Sequence, residues 1–442
     1  MKKIIISGLL FILIFKTNAQ QTPPPPAPVT ETERKQVIDS ICSLLNNNYI
    51  FPETAAAMCK QITASFQKGA YKQITDPSAF AQKLTEELQS ISKDKHLRVA
   101  FNPAMITELR RRAAAGNNDE IPEAFLKQMK AGNYGFSEIK ILPGNIGYMD
   151  LRGFIDTRFG GETANAAMNF LSNADALIIA LRQNGGGSPS MIQLITSYLY
   201  GPEPVHLNNF YFRPTNENTQ TWTLPYVPGK RRPDIDVYVL TSNRTFSAAE
   251  EFTYNLKNLK RATIIGETTG GGAHPGGTRV ATDRFTVWVP TGRAINPITK
   301  SNWEGTGVEP DIKTIAADAL ETAQLKALEK MAQTNEQAKG MHEWMLATIN
   351  ARKKTITTEE VTLRSYAGSY GPRQISFENG SLYYQRSGNQ KYKLIALDKY
   401  LFEPQGLENF RVRFVIENGE VVAIKGLYVD GGSDVNKKDK GF

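Results

Sequence analysis

A serine at position 247 stands where an apolar run gives way to a helical pattern. The run from Val237 to Leu240 predicts a buried strand, and Ser247 to Phe252 begins an amphipathic helix. A serine at such a junction can point its hydroxyl out of the sheet, and the first N–H groups of the helix can bind a developing negative charge. This presentation is typical of an acyl-transfer nucleophile. Serine is also a favoured N-cap, and Glu250 would complete a capping box, so a purely structural role is the alternative.

A serine nucleophile needs a base within hydrogen-bond reach and a third group that orients the base. The chain has only 4 histidines that could serve. His96 lies between a helical segment and an alternating strand pattern, whereas His274 follows a glycine-rich loop. His274 is the main competitor, and it could instead line the substrate cleft. His206 and His342 lie in a predicted loop and an exposed helix, where catalysis is not expected.

Two glycine clusters, 185–187 and 270–272, flank the predicted nucleophile in sequence. Glycine lets backbone N–H groups approach a substrate closely because it has no Cβ. A tight strand-to-helix turn would use the same residues, and both roles are compatible. Neither cluster is followed by Gly-Lys-Ser/Thr, so a phosphate loop is disfavoured. The sequence also contains no HExxH, paired CxxC or EF-hand pattern, so neither a metal nor a cofactor is predicted.

These segments resemble the tail-specific (C-terminal processing) serine peptidases, in their interphotoreceptor retinoid-binding protein-like and tricorn-like branch. The resemblance covers roughly residues 33–330. The motifs that carry it, in chain order, are Asp94-Lys-His-Leu, Asn145-Ile-Gly-Tyr, Leu181-Arg-Gln-Asn-Gly-Gly-Gly, Thr241-Ser-Asn-Arg-Thr-Phe-Ser-Ala-Ala-Glu-Glu, Gly266-Glu-Thr-Thr-Gly-Gly-Gly-Ala-His and Asn302-Trp-Glu-Gly-Thr-Gly-Val-Glu-Pro-Asp.

The resemblance implies a catalytic set of Ser247 as nucleophile, His96 as general base and acid, and Glu304 as orienting group. Without the resemblance, the local sequence would predict only a surface carboxylate in a turn at Glu304. A Ser-Lys dyad is excluded, because Gly272 stands where that branch of the family has its lysine. The resemblance also implies further site residues, namely Gly186 and Ala248 for the oxyanion hole, and Gly185, Gly271, Gly272 and His274 as candidates for the substrate cleft.

The N-terminus predicts export. Lys2 and Lys3 precede an apolar run that ends at Phe15, and small residues follow, so 1–19 are interpreted as a cleaved signal peptide, with an uncleaved anchor as the alternative. Its removal would leave no integral membrane span and a periplasmic or extracellular protein. The formal charge would fall from +8 to +5 with the loss of three lysines, and scattered basic residues do not favour nucleic acid. Cys42 and Cys59 could form a disulfide after export or serve as core filler, and both readings stay open.

The 442-residue chain is too long for one ordinary core, and its patterns change along its length. We predict a multidomain α/β (α+β) protein, and the resemblance implies a crotonase-like peptidase core without a PDZ domain. The predicted segments are a Pro-rich linker (20–30), a helical domain (31–92), the α/β core (93–330), a helical connector (331–359), an antiparallel β domain (360–433) and a flexible tail (434–442).

The leading hypothesis is an exported serine peptidase that cleaves peptides or unfolded protein segments through an acyl-enzyme. The alternative is a non-catalytic carrier of apolar ligands such as retinoids or fatty acids, because relatives of that kind share the fold. The sequence does not indicate the cleavage specificity, the oligomeric state or the role of the β domain.

Overall fold

The structure is a computed structural model that describes residues 26–114, 122–353 and 359–439. The predicted signal peptide and residues 20–25 of the predicted linker lie outside these ranges. Residues 26–30 precede the first helix without regular structure. Across the described ranges, no helix has both the length and the apolar character needed to cross a membrane.

The described helices and strands are labelled in chain order. The helices are α1 (Glu31–Asn48), α2 (Pro52–Gln67), α3 (Pro77–Ser92), α4 (Pro103–Ala114), α5 (Glu123–Ala131), α6 (Thr157–Phe170), α7 (Pro189–Ser197), α8 (Ala248–Asn258), α9 (Ala319–Thr334), α10 (Lys339–Lys353) and α11 (Glu360–Tyr366). The strands are β1 (Arg98–Phe101), β2 (Phe136–Leu142), β3 (Ile146–Leu151), β4 (Ala176–Ala180), β5 (His206–Phe212), β6 (Glu217–Trp222), β7 (Asp236–Thr241), β8 (Thr263–Gly266), β9 (Gly276–Val280), β10 (Phe285–Pro290), β11 (Gly292–Ile295), β12 (Ile312–Lys313), β13 (Gly368–Tyr370), β14 (Arg373–Glu378), β15 (Ser381–Arg386), β16 (Lys391–Ala396), β17 (Leu401–Pro404), β18 (Phe410–Glu417), β19 (Glu420–Tyr428) and β20 (Ser433–Lys437).

The N-terminal helices share a core with a sheet from the middle of the chain. Helix α1 starts after the N-cap Thr30 and α3 after the N-cap Asp76, whose side chains accept hydrogen bonds from the first turns. Their apolar stripes, for example Ile41 and Leu84, pack in one cluster with Phe285 of β10. Strand β10 pairs with β1 and β9 in an antiparallel sheet. The helical region is therefore fixed to the core and positions the α3–β1 turn.

A six-stranded sheet in the order β12-β8-β7-β4-β3-β2 forms the centre of the molecule. The five strands from β12 to β3 are parallel, and β2 joins as an antiparallel hairpin partner of β3. Alternate residues of the buried strands face opposite layers: Ile179 packs among α6, α7 and α8, whereas Ile178 packs against α9. This confirms the predicted α/β core, in which parallel strands end at one common edge.

The C-terminal region is an eight-stranded antiparallel sheet in the order β13 to β20. The predicted antiparallel β region is present, although α11 precedes its first strand. The last strand, β20, occupies residues that were predicted as a flexible tail from 434 onwards. Pairing with β19 and the bidentate contact of Asp434 with the buried Arg373 hold this segment despite its lysines. The predicted connector (331–359) contains the last turn of α9, which begins at Ala319 in the predicted core, and α10; its residues 354–358 lie outside the described ranges.

Candidate active site

Ser247 lies between the end of β7 and the start of α8, in a backbone conformation that serine rarely adopts. Its φ is 56° and its ψ is −123°. A non-glycine residue in such a region stores roughly 1–3 kcal/mol of strain, which the surrounding structure must hold. The Phe246 N–H donates to the Asn184 carbonyl at 3.0 Å, and the Thr245 hydroxyl donates to the Leu181 carbonyl at 2.8 Å. These bonds tie the turn to the end of β4 and keep Ser247 at the edge of the sheet.

Glu250 links the Ser247 turn to the second glycine cluster. Its fully buried carboxylate accepts hydrogen bonds from the N–H groups of Ser247 (2.8 Å), Gly271 (2.6 Å) and Gly272 (2.8 Å). The Thr269 hydroxyl donates to it as well, at 2.5 Å. Burial raises the pKa of Glu250, and the four donors act in the opposite direction. Glu250 thus does more than cap a helix, because it fastens the 269–272 loop to the residue that carries the hydroxyl.

The first glycine cluster approaches Ser247 closely. Gly186 has φ 106°, and a Cβ built on it would lie 2.8 Å from Cβ of Ser247 and 2.9 Å from the Ala248 nitrogen. Only glycine fits there. The Gly186 N–H donates to Oδ1 of Asn184 at 2.9 Å, so the predicted oxyanion donor is already engaged in this conformation. Ala248 is the first residue of α8, and its N–H belongs to the group that has no acceptor within the helix. Gly185 has open space around it.

His96 lies in the turn between α3 and β1, with its ring against Phe246 at a centroid distance of 4.6 Å. Both ring nitrogens are buried, and neither has a hydrogen-bond partner among the described residues. Burial lowers the pKa of His96, although the nearby Asp94 opposes this effect and His274 adds to it. A neutral imidazole with a free nitrogen can accept a proton, as a general base must.

The structure gathers Asp94, His274 and Glu304 into one cluster. Nδ1 of His274 lies 2.8 Å from Oδ2 of Asp94 and 3.4 Å from Oε2 of Glu304. The Ala273 N–H also donates to Glu304, at 2.5 Å. Burial raises the pKa of Glu304 to about 7, and the neighbouring Asp94 carboxylate contributes in the same direction. These three side chains carry the donor types and the spacing that a metal ion uses, with their ligand atoms within 4.8 Å of one another.

The predicted partnership of Glu304 with His96 is absent from the described residues, where the carboxylate that approaches His96 is Asp94. Nδ1 of His96 lies 3.8 Å from Oδ1 of Asp94, and the His96 N–H donates to the same oxygen at 3.0 Å. Glu304 contacts His274 instead. The reason is positional: Asp94 lies on the same turn as His96, whereas the loop that carries Glu304 packs on the loop that carries His274. Asp94 therefore stands between the two histidines.

Two aromatic residues from the helical region complete the surroundings of this cluster. The Tyr49 hydroxyl donates to Oδ2 of Asp94 at 3.3 Å, and the ring of Phe51 stands edge-on to His274 at 5.3 Å. The Ile50 N–H donates to the Pro290 carbonyl at 3.0 Å, which fixes this segment on β10. Burial, followed by the Asp94 charge, raises the pKa of Tyr49 above its usual range. The helical region thus contributes directly to the site.

The second glycine cluster packs tightly between the histidine and the Glu304 loop. A Cβ on Gly272 would lie 2.7 Å from Cε1 of His96. Its carbonyl accepts a hydrogen bond from Nε1 of the buried Trp303 at 2.7 Å. The N–H groups of Gly271 and Gly272 are held by Glu250. These glycines therefore set the distance between loops, and their N–H groups are not free for substrate.

Sequence reasoning placed His96, His274, Glu304 and Ser247 in one region but missed two carboxylates. Asp94 was part of the quoted motif without a role, and its spacing of two residues from His96 was the signal available. The sequence predicts only a capping-box role for Glu250, because the loop it binds lies about 20 residues further on.

A second buried carboxylate, Glu251, gives a pH-dependent prediction. Burial raises the pKa of Glu251 to about 7, its polar neighbours are the neutral amides of Asn208 and Asn255, and its Oε1 has no partner among the described residues. Because the pKa of Glu251 is higher in the folded state than in the unfolded state, its protonation stabilises the fold at pH values below about 4.5. This stabilisation is lost as the pH rises from about 4.5 through about 7. We expect Glu251→Gln to raise the free energy of unfolding at pH 8 by up to about 3 kcal/mol and to change it little at pH 4.5.

Urea unfolding of both proteins at pH 4.5 and pH 8 measures this effect. The exposed Glu203→Gln is the matched control and should leave the difference between the two pH values unchanged. A Glu251→Gln variant that is less stable than wild type at pH 8 would contradict the interpretation.

Two family models match parts of the chain. Residues 145–314 match the model of peptidase family S41, and residues 29–133 match the N-terminal domain of Peptidase_S41 in eukaryotic IRBP. A putative S41 protease from Bacteroides fragilis is 22% identical, with a TM-score of 0.37, over 42% of this chain and 52% of that one. This chain thus spans about half the length of that relative.

Two further solved structures match over more of their length. A putative peptidase from Parabacteroides merdae is 18% identical, with a TM-score of 0.46, over 67% of this chain and 96% of that one. The photosystem II D1 C-terminal processing protease is 15% identical, with a TM-score of 0.40, over 64% of this chain and 94% of that one. The two family matches are separated by residues 134–144, which contain β2. Residues 145–314 are therefore a peptidase family S41 domain, and this domain supports a serine peptidase.

Proposed function

We propose that this protein hydrolyses peptide bonds in peptides or unfolded protein segments through an acyl-enzyme formed on Ser247. The observation that carries the proposal is the strained conformation of Ser247 at the strand-to-helix junction. A cap residue needs no such strain, since an ordinary N-cap has an extended backbone. Strain held at one serine, beside a histidine with free ring nitrogens, is the pattern of a presented nucleophile.

In this mechanism His96 takes the proton from the Ser247 hydroxyl as the oxygen attacks the peptide carbonyl carbon. The carbonyl π electrons move onto oxygen, and the negative charge is bound by the Ala248 N–H at the start of α8. The tetrahedral intermediate then collapses, the C–N bond breaks and His96 returns the proton to the leaving amine. A water molecule, deprotonated by His96, releases the acyl group by the reverse sequence.

The carboxylates act around the base in this proposal. Asp94, 3.8 Å from Nδ1 of His96, stabilises the imidazolium that forms during attack. Glu304 acts on His96 only indirectly, because it contacts His274, and His274 in turn contacts Asp94. The proposed catalytic set is thus Ser247 and His96, oriented by Asp94, with Glu304 and His274 holding Asp94 in place.

The second oxyanion donor is either the Gly186 N–H, after a side-chain displacement, or the N–H of the next residue. The Gly186 N–H is engaged by Asn184, so it can serve only if substrate displaces that side chain. The Gly187 N–H is the adjacent alternative. The close approach of Gly186 to Ala248 supports an oxyanion role for this cluster. Export to the periplasm or the extracellular space remains part of the proposal and is supported by the sequence of residues 1–19.

Covalent labelling tests the proposal. After treatment with a fluorophosphonate, intact mass spectrometry should show one adduct on the wild type and on the control Ser301→Ala, which removes an exposed hydroxyl. The adduct should be lost in Ser247→Ala. A folded wild type that acquires no adduct contradicts the peptidase proposal. A co-purified apolar ligand in such a sample would then favour the carrier function.

A further inference from the structure

The two carboxylates of the Asp94 cluster, one buried and one partly buried, have no lysine or arginine partner among the described residues. Asp94 is 1% exposed, and the Glu304 side chain is 18% exposed. In the described part of the chain, neither forms an ion pair with a lysine or an arginine, and their charged or chargeable contacts are the two histidines. Lys95 is adjacent in sequence, but its Nζ donates to the Gly270 carbonyl. Two neighbouring buried carboxylates favour a bound cation, because like charges at low dielectric repel strongly.

The donor atoms fit a small divalent ion. Nδ1 of His274 is 2.8 Å from an Asp94 oxygen and 3.4 Å from a Glu304 oxygen. Taking one ligand atom from each of the three residues, all pairs of atoms lie within 4.8 Å of each other. Ligands about 2.0 Å from a tetrahedral zinc ion are about 3.3 Å from each other. The two distances from His274 therefore lie within about 0.5 Å of this spacing, and the third lies within 4.8 Å. One imidazole with two carboxylates is a ligand set that zinc accepts.

Free ring nitrogens close to this cluster provide an independent sign of a ligand. The His96 side chain is only 10% exposed, both of its nitrogens lack partners among the described residues, and Nδ1 faces Oδ1 of Asp94 at 3.8 Å. Oε1 of Glu304 is also buried and has no partner among those residues. Buried polar atoms are normally satisfied, so these atoms leave room for an additional bonding partner between them.

The groups around the cluster resemble the outer shell of a metal site. Oε2 of Glu304 accepts the Ala273 N–H, and Oδ2 of Asp94 accepts the Tyr49 hydroxyl. The Phe51 ring covers one side of His274. Such hydrogen bonds orient carboxylate ligands, and apolar cover limits the access of water.

We propose that Asp94, His274 and Glu304 bind a zinc-type divalent cation, with His96 or water in the fourth position. The ion binds to Nδ1 of His274, so that nitrogen carries no proton in the bound state. Any proton held there before binding is released to solvent. It also immobilises Asp94 and competes for His96. On the proposed function, the ion is consequently an inhibitor that is removed before acylation of Ser247. No short metal-binding motif in the sequence predicts this site, because its ligands lie far apart, at positions 94, 274 and 304.

Calorimetric titration of the full chain with ZnCl2 tests the binding, and the visible spectrum of the Co2+ form reports the ligand geometry. We expect one ion per chain, with affinity lowered by roughly 100-fold or more in Glu304→Gln and His274→Ala. Ser247→Ala, His206→Ala and the double variant Cys42→Ser/Cys59→Ser should retain binding, the last because it removes both thiols of the chain, which lie outside the proposed site. Thermal unfolding confirms that each variant is folded. Mg2+ should not compete.

Absence of zinc binding at micromolar concentration would overturn the proposal, and so would binding that Glu304→Gln leaves unchanged. The near-isosteric Glu304→Gln keeps the test valid if His274→Ala fails to fold. Labelling of Ser247 with and without zinc separates the two proposals. A protein that is labelled but binds no zinc retains the peptidase proposal alone, whereas one that binds zinc but is never labelled retains only the metal site.

Discussion

Replacing His96 with alanine is expected to lower kcat/KM for peptide hydrolysis on the order of 10⁴-fold or more, while the protein stays folded. His96 has two ring nitrogens without partners in the described residues, and its ring packs on Phe246, the residue before Ser247. His274→Ala should have a smaller effect, roughly 10- to 100-fold, because Nδ1 of His274 is already engaged by Asp94. A peptide-cleavage assay, with the fluorophosphonate labelling rate measured in parallel, gives both values.

The comparison between the two histidines decides which one is the base. The labelling rate should fall with His96→Ala as steeply as turnover does, since both reactions need Ser247 to lose its proton. A larger loss in His274→Ala than in His96→Ala would reverse the assignment. The control His206→Ala removes a histidine that stacks on Trp222, away from the Asp94 cluster, and should keep full activity.

Local patterns were sufficient to predict the Ser247 junction and the alternating architecture. A strand such as Val237 to Leu240 is recognisable because its residues are buried on both faces of a parallel sheet. The role of Ser247 depended on the resemblance, since the local pattern fits a cap equally well. Its backbone conformation, which favours the nucleophile, is not encoded in any short motif.

The pairing of side chains within the site could not be predicted in the same way. Asp94 and His274 are 180 positions apart and meet only because the α3–β1 turn and the 270–274 loop pack together. The resemblance implies that Glu304 orients His96, whereas in the structure Glu304 contacts His274. The end of the chain shows the same limit. The lysines near residue 437 suggested fraying, yet β20 is held by pairing with β19 and by Asp434 on Arg373.

The adjacent carboxylates Glu250 and Glu251 should respond in opposite directions to the same substitution. Glu250 accepts four hydrogen bonds, from Ser247, Thr269, Gly271 and Gly272, and all four partners are donors. A glutamine offers one acceptor oxygen and places an NH2 group among N–H donors, which leaves buried donors unsatisfied. Each such donor costs about 1–3 kcal/mol, so Glu250→Gln should lower the free energy of unfolding by about 3 kcal/mol and Glu250→Ala by more.

Activity should fall with Glu250→Gln as well, because the Ser247 N–H and the 269–272 loop lose their common anchor. Urea unfolding at pH 7 measures the stability, and peptide hydrolysis below the unfolding transition measures the positioning. Glu251→Gln is the matched control on the same helix: it keeps activity and does not lower stability, since its carboxylate has neutral amide neighbours and an unpartnered oxygen. Equal stability losses in the two variants would mean that Glu250 only fills space in the core. A selective loss in Glu250→Gln, with activity falling further than stability explains, would establish it as the residue that fixes Ser247 against its glycine loop.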